Sequence, residues 1–178
     1  MSLFSRNNCD IKVMDKIWKN KAGKYKACVE ALKNNAGIIF ITWFEDTRME
    51  LVKSISPGAN SRNDVLLYRY ITTINSRDRQ IIFAEHFPLR DKEQELFGKL
   101  SLKTATVYSS LDEALFTAFG GSRIADIMEQ AGINDDEAFE HALISRAIIN
   151  MQKKIEEKMI VEQSAANLED WMKRNYGG

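Results

Sequence analysis

Only two cysteines, Cys9 and Cys28, occur in 178 residues. So few thiols exclude a disulfide-stapled scaffold, and with no signal-peptide pattern they point to a reducing cytoplasm. Histidine is equally scarce, with His86 and His141 making two. The spacings of Cys9, Cys28, His86 and His141 match no zinc pattern, so no metal site is predicted. Net charge is absent as well, because 25 basic residues meet 25 acidic ones. That balance excludes a whole-domain electrostatic footprint for nucleic acid. No apolar run approaches the roughly 18 residues that a membrane span needs. Neither a G-x-x-x-x-G-K-[ST] phosphate loop nor a G-x-S-x-G nucleophile elbow occurs anywhere.

What is present is globular material with strong punctuation. A chain of 178 residues is one domain, or one domain with an appendage. From Asp10 to Asn34, the positions Met14, Ile17, Trp18, Tyr25, Cys28, Val29 and Leu32 recur at threes and fours. That spacing predicts one amphipathic helix, interrupted near Gly23. Ile38 to Trp43 is an apolar run without alternation, the signature of a strand covered on both faces. Asp46 opens a helix that ends before Pro57-Gly58, and a loop follows in SPGANSRND. Val65–Thr73, Gln80–Phe87 and Thr104–Tyr108 are three further strand candidates. Pro88 permits a helix from Leu89 to about Leu100.

Beyond Tyr108 every element reads as helical. Ser110 with Glu113 fits a capping box for a helix Leu111–Phe119, closed by Gly120-Gly121. Ser122 caps the next helix, Arg123–Ala131, and Gly132 sits where a left-handed C-cap belongs. Asn134 or Asp135 begins a long helix whose Ile144, Ile148, Met151, Ile155 and Met159 form one stripe. Burying five such side chains yields a gross gain of roughly 7–15 kcal/mol before entropy. The stripe must therefore pack on the α/β body, on the preceding helices, or on a second copy through the 135–172 helix, and core packing is favoured over the seam between copies. Leu168, Trp171 and Met172 close the chain with a last apolar cluster.

The order of elements predicts an α/β fold with a mostly parallel sheet of about four strands and a helical C-terminal tail. We place the α/β domain at 9–108 and the helical extension at 109–178. Lys12, Lys16, Lys19, Lys21, Lys24, Lys26 and Lys33 crowd the first segment, while Asp135, Asp136, Glu137 and Glu140 crowd a later one. Solvated helix faces explain both crowds. A nucleic-acid surface built from the lysines, Trp18 and Tyr25 is the alternative, and the helical spacing of the aromatics favours core packing over it. A small enzyme is a further alternative. His86 follows Glu85 at the carboxyl end of a strand, where active sites of open sheets collect, and Ser109, Ser110 and Asp112 follow another strand. A single histidine beside serines is more often structural.

The tail, TVYSSLDEALFTAFGGSRIADIMEQAGINDDEAFEHALISRAIINMQKKIE, resembles the SecA family of preprotein translocase ATPases. The similarity is carried by Leu111, Leu115, Phe119-Gly120, Ser122-Arg123-Ile124, Ile127-Met128, Gly132, Glu140-His141, Ser145, Ile148 and Gln152-Lys153-Lys154-Ile155-Glu156. Lys24-Tyr25-Lys26-Ala27, Val29-Glu30 and Ile38 to Val52 resemble the entry helix, first strand and following helix of that family's second RecA-like domain. The resemblance implies a RecA-like, helicase C-terminal-like sheet passing into scaffold helices.

Two departures set the functional expectation. Where the family carries the arginines of QLRGRAGR, this chain reads Glu95-Leu96-Phe97-Gly98-Lys99-Leu100-Ser101-Leu102. One arginine has become lysine, which is not equivalent at a bidentate phosphate site, and the other has become leucine. The family's TNMAGRGTD has no counterpart. The resemblance thus implies a SecA-like, non-catalytic protein of the bacterial cytoplasm that binds a protein partner and no cofactor. Glu85, His86, Arg90 and Lys99 are then relics of a nucleotide face. Glu140, His141, Gln152 and Lys153 belong to the scaffold junction and are expected to be structural.

Overall fold

The computed structural model describes residues 10–55, 63–119 and 121–177. Residues 1–9 with Cys9, residues 56–62 of the predicted loop, Gly120 and Gly178 lie outside the described residues. The fold is α/β and RecA-like. Its five strands are β1 (Lys12–Trp18), β2 (Ile38–Thr42), β3 (Val65–Leu67), β4 (Gln80–Phe83) and β5 (Thr104–Ser110). They form one sheet in the order β1-β5-β4-β2-β3, and every pairing is parallel. The connecting helices are α1 (Lys21–Asn34), α2 (Glu45–Ile55) and α3 (Arg90–Lys99). Four more follow: α4 (Ala114–Ala118), α5 (Ser122–Gln130), α6 (Ala142–Lys158) and α7 (Leu168–Asn175).

The unalternating run Ile38–Thr42 is buried on both faces, as a parallel strand between two helical layers requires. Ile38 and Phe40 face a cluster with Tyr25, Cys28, Leu51 and Ile55 of α1 and α2. Ile39 and Ile41 face the larger cluster, which holds Phe97 of α3, Ile148 and Ile155 of α6, and Trp171 of α7. The architecture is therefore three layers. The α6 stripe of Ile144, Ile148, Met151 and Ile155 is buried within this chain. That stripe offers no seam to a second copy, and the predicted 135–172 helix is two helices separated by a loop.

Several boundaries differ from the sequence-based expectation. The predicted helix from Asp10 is a strand up to Trp18 and a helix only from Lys21. Met14, Ile17 and Trp18 satisfy helical spacing by coincidence, and seven residues in register with Thr104–Ser110 of β5 fix the strand. Asn20 starts α1, its side chain accepting the Gly23 N–H at 2.9 Å. The helix is not interrupted at Gly23. The glycine is needed there because a Cβ would lie 2.2 Å from the Asp135 carbonyl oxygen. The strand predicted at Val65–Thr73 ends at Leu67 and gives way to a single turn of tighter helix, Tyr68–Tyr70. The long helix starts at Ala142 rather than at Asn134, capped by His141 Nδ1, which accepts the Leu143 N–H at 3.2 Å. Segment 134–140 is instead a loop that meets β1 in an antiparallel bridge, Ile17 to Phe139.

The α5 terminus follows expectation. Gly132 has φ +68, with its N–H on Glu129 C=O at 2.9 Å and the Ile133 N–H on Met128 C=O at 2.9 Å. These are the two bonds of a Schellman cap.

Tertiary pairing explains the two charge crowds. Lys16 meets Glu140 at 2.8 Å, Lys19 meets Asp135 at 3.8 Å and Lys26 meets Asp136 at 2.5 Å. Trp18 and Tyr25, the aromatics of the nucleic-acid alternative, are both buried. The lysines lie on a strand and a separate helix rather than along one helical face.

Candidate functional site

In an open parallel sheet, ligands collect beyond the carboxyl ends of neighbouring strands whose connections run in opposite directions. Here those strands are β2 and β4. From β2 the chain passes through α2 to β3 at one edge, and from β4 it passes through α3 towards β5 on the other side. The residues that follow β4 are Ala84, Glu85, His86 and Phe87, all buried. Adjacent side chains of an extended segment point oppositely, so Glu85 and His86 enter different polar networks.

Glu85 fills the crevice. Its Oε1 accepts the backbone N–H groups of Trp43 at 2.8 Å and Phe44 at 2.9 Å, and its Oε2 accepts the Thr47 hydroxyl at 2.6 Å. Those donors belong to the turn that starts α2, where unpaired amides and the helix dipole favour an anion. Burial pushes the Glu85 carboxyl up to about 7, against the Thr47 hydrogen bond and the nearby Lys24 charge. Beside it lies Lys24, 1% exposed, whose ammonium donates to Ala84 C=O at 2.8 Å and to Glu113 Oε1 at 2.5 Å. Burial alone would lower the Lys24 pKa, yet the charge and hydrogen bond of Glu113 hold it above its ordinary value. Glu113 Oε1 also accepts the Ser110 N–H at 3.0 Å. A pocket of about 310 Å³ opens next to this set, and Asp46, Glu50, Asp112 and Glu169 add carboxylates to its wall against the single further cation of Lys21.

His86 anchors the opposite network and is 2% exposed. Its Nε2 lies 2.9 Å from Asp15 Oδ1 of β1, and its Nδ1 lies 2.9 Å from Glu93 Oε1 of α3. Burial disfavours the charged ring, but the Glu93 charge and the Asp15 hydrogen bond outweigh it and raise the pKa to about 10. With a carboxylate oxygen 2.9 Å from each ring nitrogen, both nitrogens are placed to donate, the arrangement that suits an imidazolium. Burial alone would raise Asp15, but the hydrogen bond and charge of His86, with the Ser145 hydroxyl, outweigh it and hold the carboxyl below its ordinary range. Gln152 of α6 donates to Glu93 Oε2 and to Phe87 C=O, each at 2.8 Å, and the Ser145 hydroxyl donates to Asp15 Oδ2. One imidazolium thus ties β1, α3 and α6 to the end of β4.

The predicted relic residues do not all converge: His86 and Arg90 line one groove, while Glu85 and Lys99 lie apart from it. Glu85 and His86 flank the β4 terminus in separate networks. Arg90 starts α3, its Nη2 lying 3.1 Å from Asp10 and its N–H 2.9 Å from Glu156 Oε1. Lys99 is exposed at the far end of α3, nine residues and about 13 Å further along. Ser110 and Asp112 do not join His86 in a relay: Ser110 bonds Glu113, and Asp112 accepts the Lys21 N–H at 3.0 Å. With both nitrogens engaged, His86 has no free ring nitrogen to act as a base. Of the residues expected at the scaffold junction, Glu140 pairs with Lys16, His141 caps α6, Gln152 enters the buried network and Lys153 is exposed. Glu113 was read from sequence only as the capping-box partner of Ser110, and Lys24, Asp15 and Glu93 were not identified as network residues. Lys24 hides within a lysine-rich run, and the others come from distant elements that only the fold brings together.

Part of the chain shares sequence with known proteins. Over 80 residues the chain is 38% identical to protein translocase subunit SecA 1 of Alkaliphilus metalliredigens, covering 43% of this chain and 9% of that protein. Over 82 residues it is 40% identical to the SecA subunit of Sorangium cellulosum, covering 44% of this chain and 8% of that one. A stretch of 49 residues is 53% identical to the SecA subunit of Desulforapulum autotrophicum, covering 28% and 6%. No protein-family model matches the chain. A RecA-like α/β protein with helices packed against its sheet is the class these observations define. Part of it is related to a segment of the translocase subunit SecA, and that segment spans less than a tenth of each of these three relatives.

Proposed function

We propose that this chain is a protein-binding module related to preprotein translocation, working in the cytoplasm, in which nucleotide chemistry is absent. The observation that carries the reading is the position of Glu85. Its carboxylate already accepts the two backbone N–H groups and the hydroxyl at the start of α2. A phosphate entering that crevice meets a carboxylate in its place and an acid-lined pocket beside it. The replacement of the family's paired arginines by Lys99 and Leu supports the same conclusion, because Lys99 is a single cation without the planar fork. Among the described residues no helix is long and apolar enough to cross a membrane. Isothermal titration with ATP and with ADP, each with magnesium, tests the proposal. No heat of binding is expected at millimolar nucleotide, and saturable binding below that concentration refutes it.

A further inference from the structure

β1 is the last strand on its side of the sheet, with β5 on its inner flank. Its outer flank is closed at both ends by amide groups of the chain itself. At one end Ile17 exchanges hydrogen bonds with Phe139, at 3.1 and 2.8 Å. At the other, the Gln94 side-chain amide accepts the Ile11 N–H at 2.7 Å and donates to Ile11 C=O at 3.1 Å. Between them, Val13 and Asp15 aim their N–H and C=O groups the same way as Ile17, because backbone direction alternates along a strand. Among the described residues neither N–H meets an acceptor. A groove of about 520 Å³ runs beside this gap, between β1 and Ala142, Ser145, Ile148 and Ile149 of α6.

The chain itself displays what this edge accepts. The 134–141 loop runs antiparallel to β1, with Phe139 opposite Ile17 and Glu140 in line with Lys16, where the ion pair is 2.8 Å. In that register His141 would face Asp15, but the chain turns into α6 at Ala142, and among the described residues nothing else pairs with this stretch of the edge. The open stretch repeats the pattern: Met14, 43% exposed, offers an apolar contact, and Lys12 is exposed two positions further. A second copy does not suit it. Two β1 strands paired antiparallel about Met14 would set Lys12 against Lys16 of the other chain, a like-charge pair.

We infer that the free edge of β1 from Lys12 to Asp15 receives an extended polypeptide segment of a partner protein, antiparallel, with an acidic side chain opposite Lys12 and an apolar one opposite Met14. Strand addition of this kind takes affinity from main-chain hydrogen bonds and specificity from alternate side chains. The inference rests on the reading that the chain acts by binding a protein, and it names where.

The full chain is titrated with a capped eight-residue peptide alternating glutamate and valine, followed by backbone NMR and amide hydrogen exchange. Saturable binding is expected, with exchange at Val13 and Asp15 slowed at least tenfold and a lysine–valine peptide binding at least tenfold more weakly. Val13→Pro removes an outward N–H that meets no acceptor among the described residues, so it should weaken the peptide at least tenfold while the thermal midpoint stays within a few degrees. Lys12→Glu, which leaves the backbone intact, should reverse the preference between the two peptides. The inference fails if those amides are already protected in the free chain, if Val13→Pro binds as wild type, or if sedimentation shows a dimer that Val13→Pro dissolves. Peptide-induced shifts confined to another surface would end the edge site and leave the protein-binding reading standing. Nucleotide binding together with docking at β1 would do the reverse.

Discussion

Replacing His86 by leucine tests the buried network at its centre. The imidazolium stands 2.9 Å from carboxylates on both sides, and all three groups are nearly inaccessible to water. His86→Leu leaves Asp15 and Glu93 buried with their cation gone, which costs about 3–5 kcal/mol for an ion set of this kind. Proton linkage gives a second bound. The ring pKa rises from an ordinary 6.5 to about 10 on folding. At about 1.4 kcal/mol for each pH unit, that is roughly 5 kcal/mol at most. The folded chain holds the proton more tightly, so this stabilisation is complete below pH 6.5 and declines as pH rises through 10. The assay is urea unfolding of wild type and variant at intervals from pH 6 to pH 10. Burial also raises the Cys28 thiol to about 12, which adds its own alkaline slope, and subtracting the variant profile removes it. The wild-type advantage should be largest near pH 6 to 7 and shrink towards pH 10. A variant within 1 kcal/mol of wild type at pH 7, or a difference that stays constant across the range, refutes the assignment of an imidazolium.

Two further outcomes follow from the same geometry. Glu85 has a folded pKa of about 7 against 4.5 ordinarily, so wild-type stability is greatest below pH 4.5 on this account and falls as pH rises through 7. Glu85→Gln mimics the protonated acid towards Trp43, Phe44 and Thr47, and its gain over wild type should grow from about 1 kcal/mol at pH 5 to about 3 kcal/mol at pH 8, read by denaturant titration at each pH. At Gly23, a methyl group would displace the Asp135 carbonyl and the loop that carries it. Gly23→Ala should lose about 1–3 kcal/mol and speed amide exchange at Ile17 and Phe139, whereas Gly132→Asn, at a left-handed position that asparagine tolerates, should lose less.

The elements legible from sequence were those whose local chemistry permits one answer. Ile38–Thr42 carries four apolar residues without alternation, and only a strand covered on both faces suits it. Pro88 before α3 and Gly132 after α5 mark helix ends through backbone restrictions that act within a few residues. The stripe of α6 follows from helical period alone. β1 was misread because its apolar positions satisfy two periods at once, and its lysines suggested a solvated helix. The polar networks were invisible for a different reason. Asp15, His86, Glu93 and Gln152 stand on four segments, and no local signal marks a residue whose partner is 71 positions away.

By itself, then, the order of amino acids determined the layer class and the helical tail, since period and turn chemistry are local properties. Only the tertiary structure decided which charges meet. Folding brought Lys16, Lys19 and Lys26 against Glu140, Asp135 and Asp136, seated Glu85 at the start of α2 and enclosed His86 between two carboxylates. Coulomb energies and desolvation depend on separation and burial in space, and neither quantity is written along the chain.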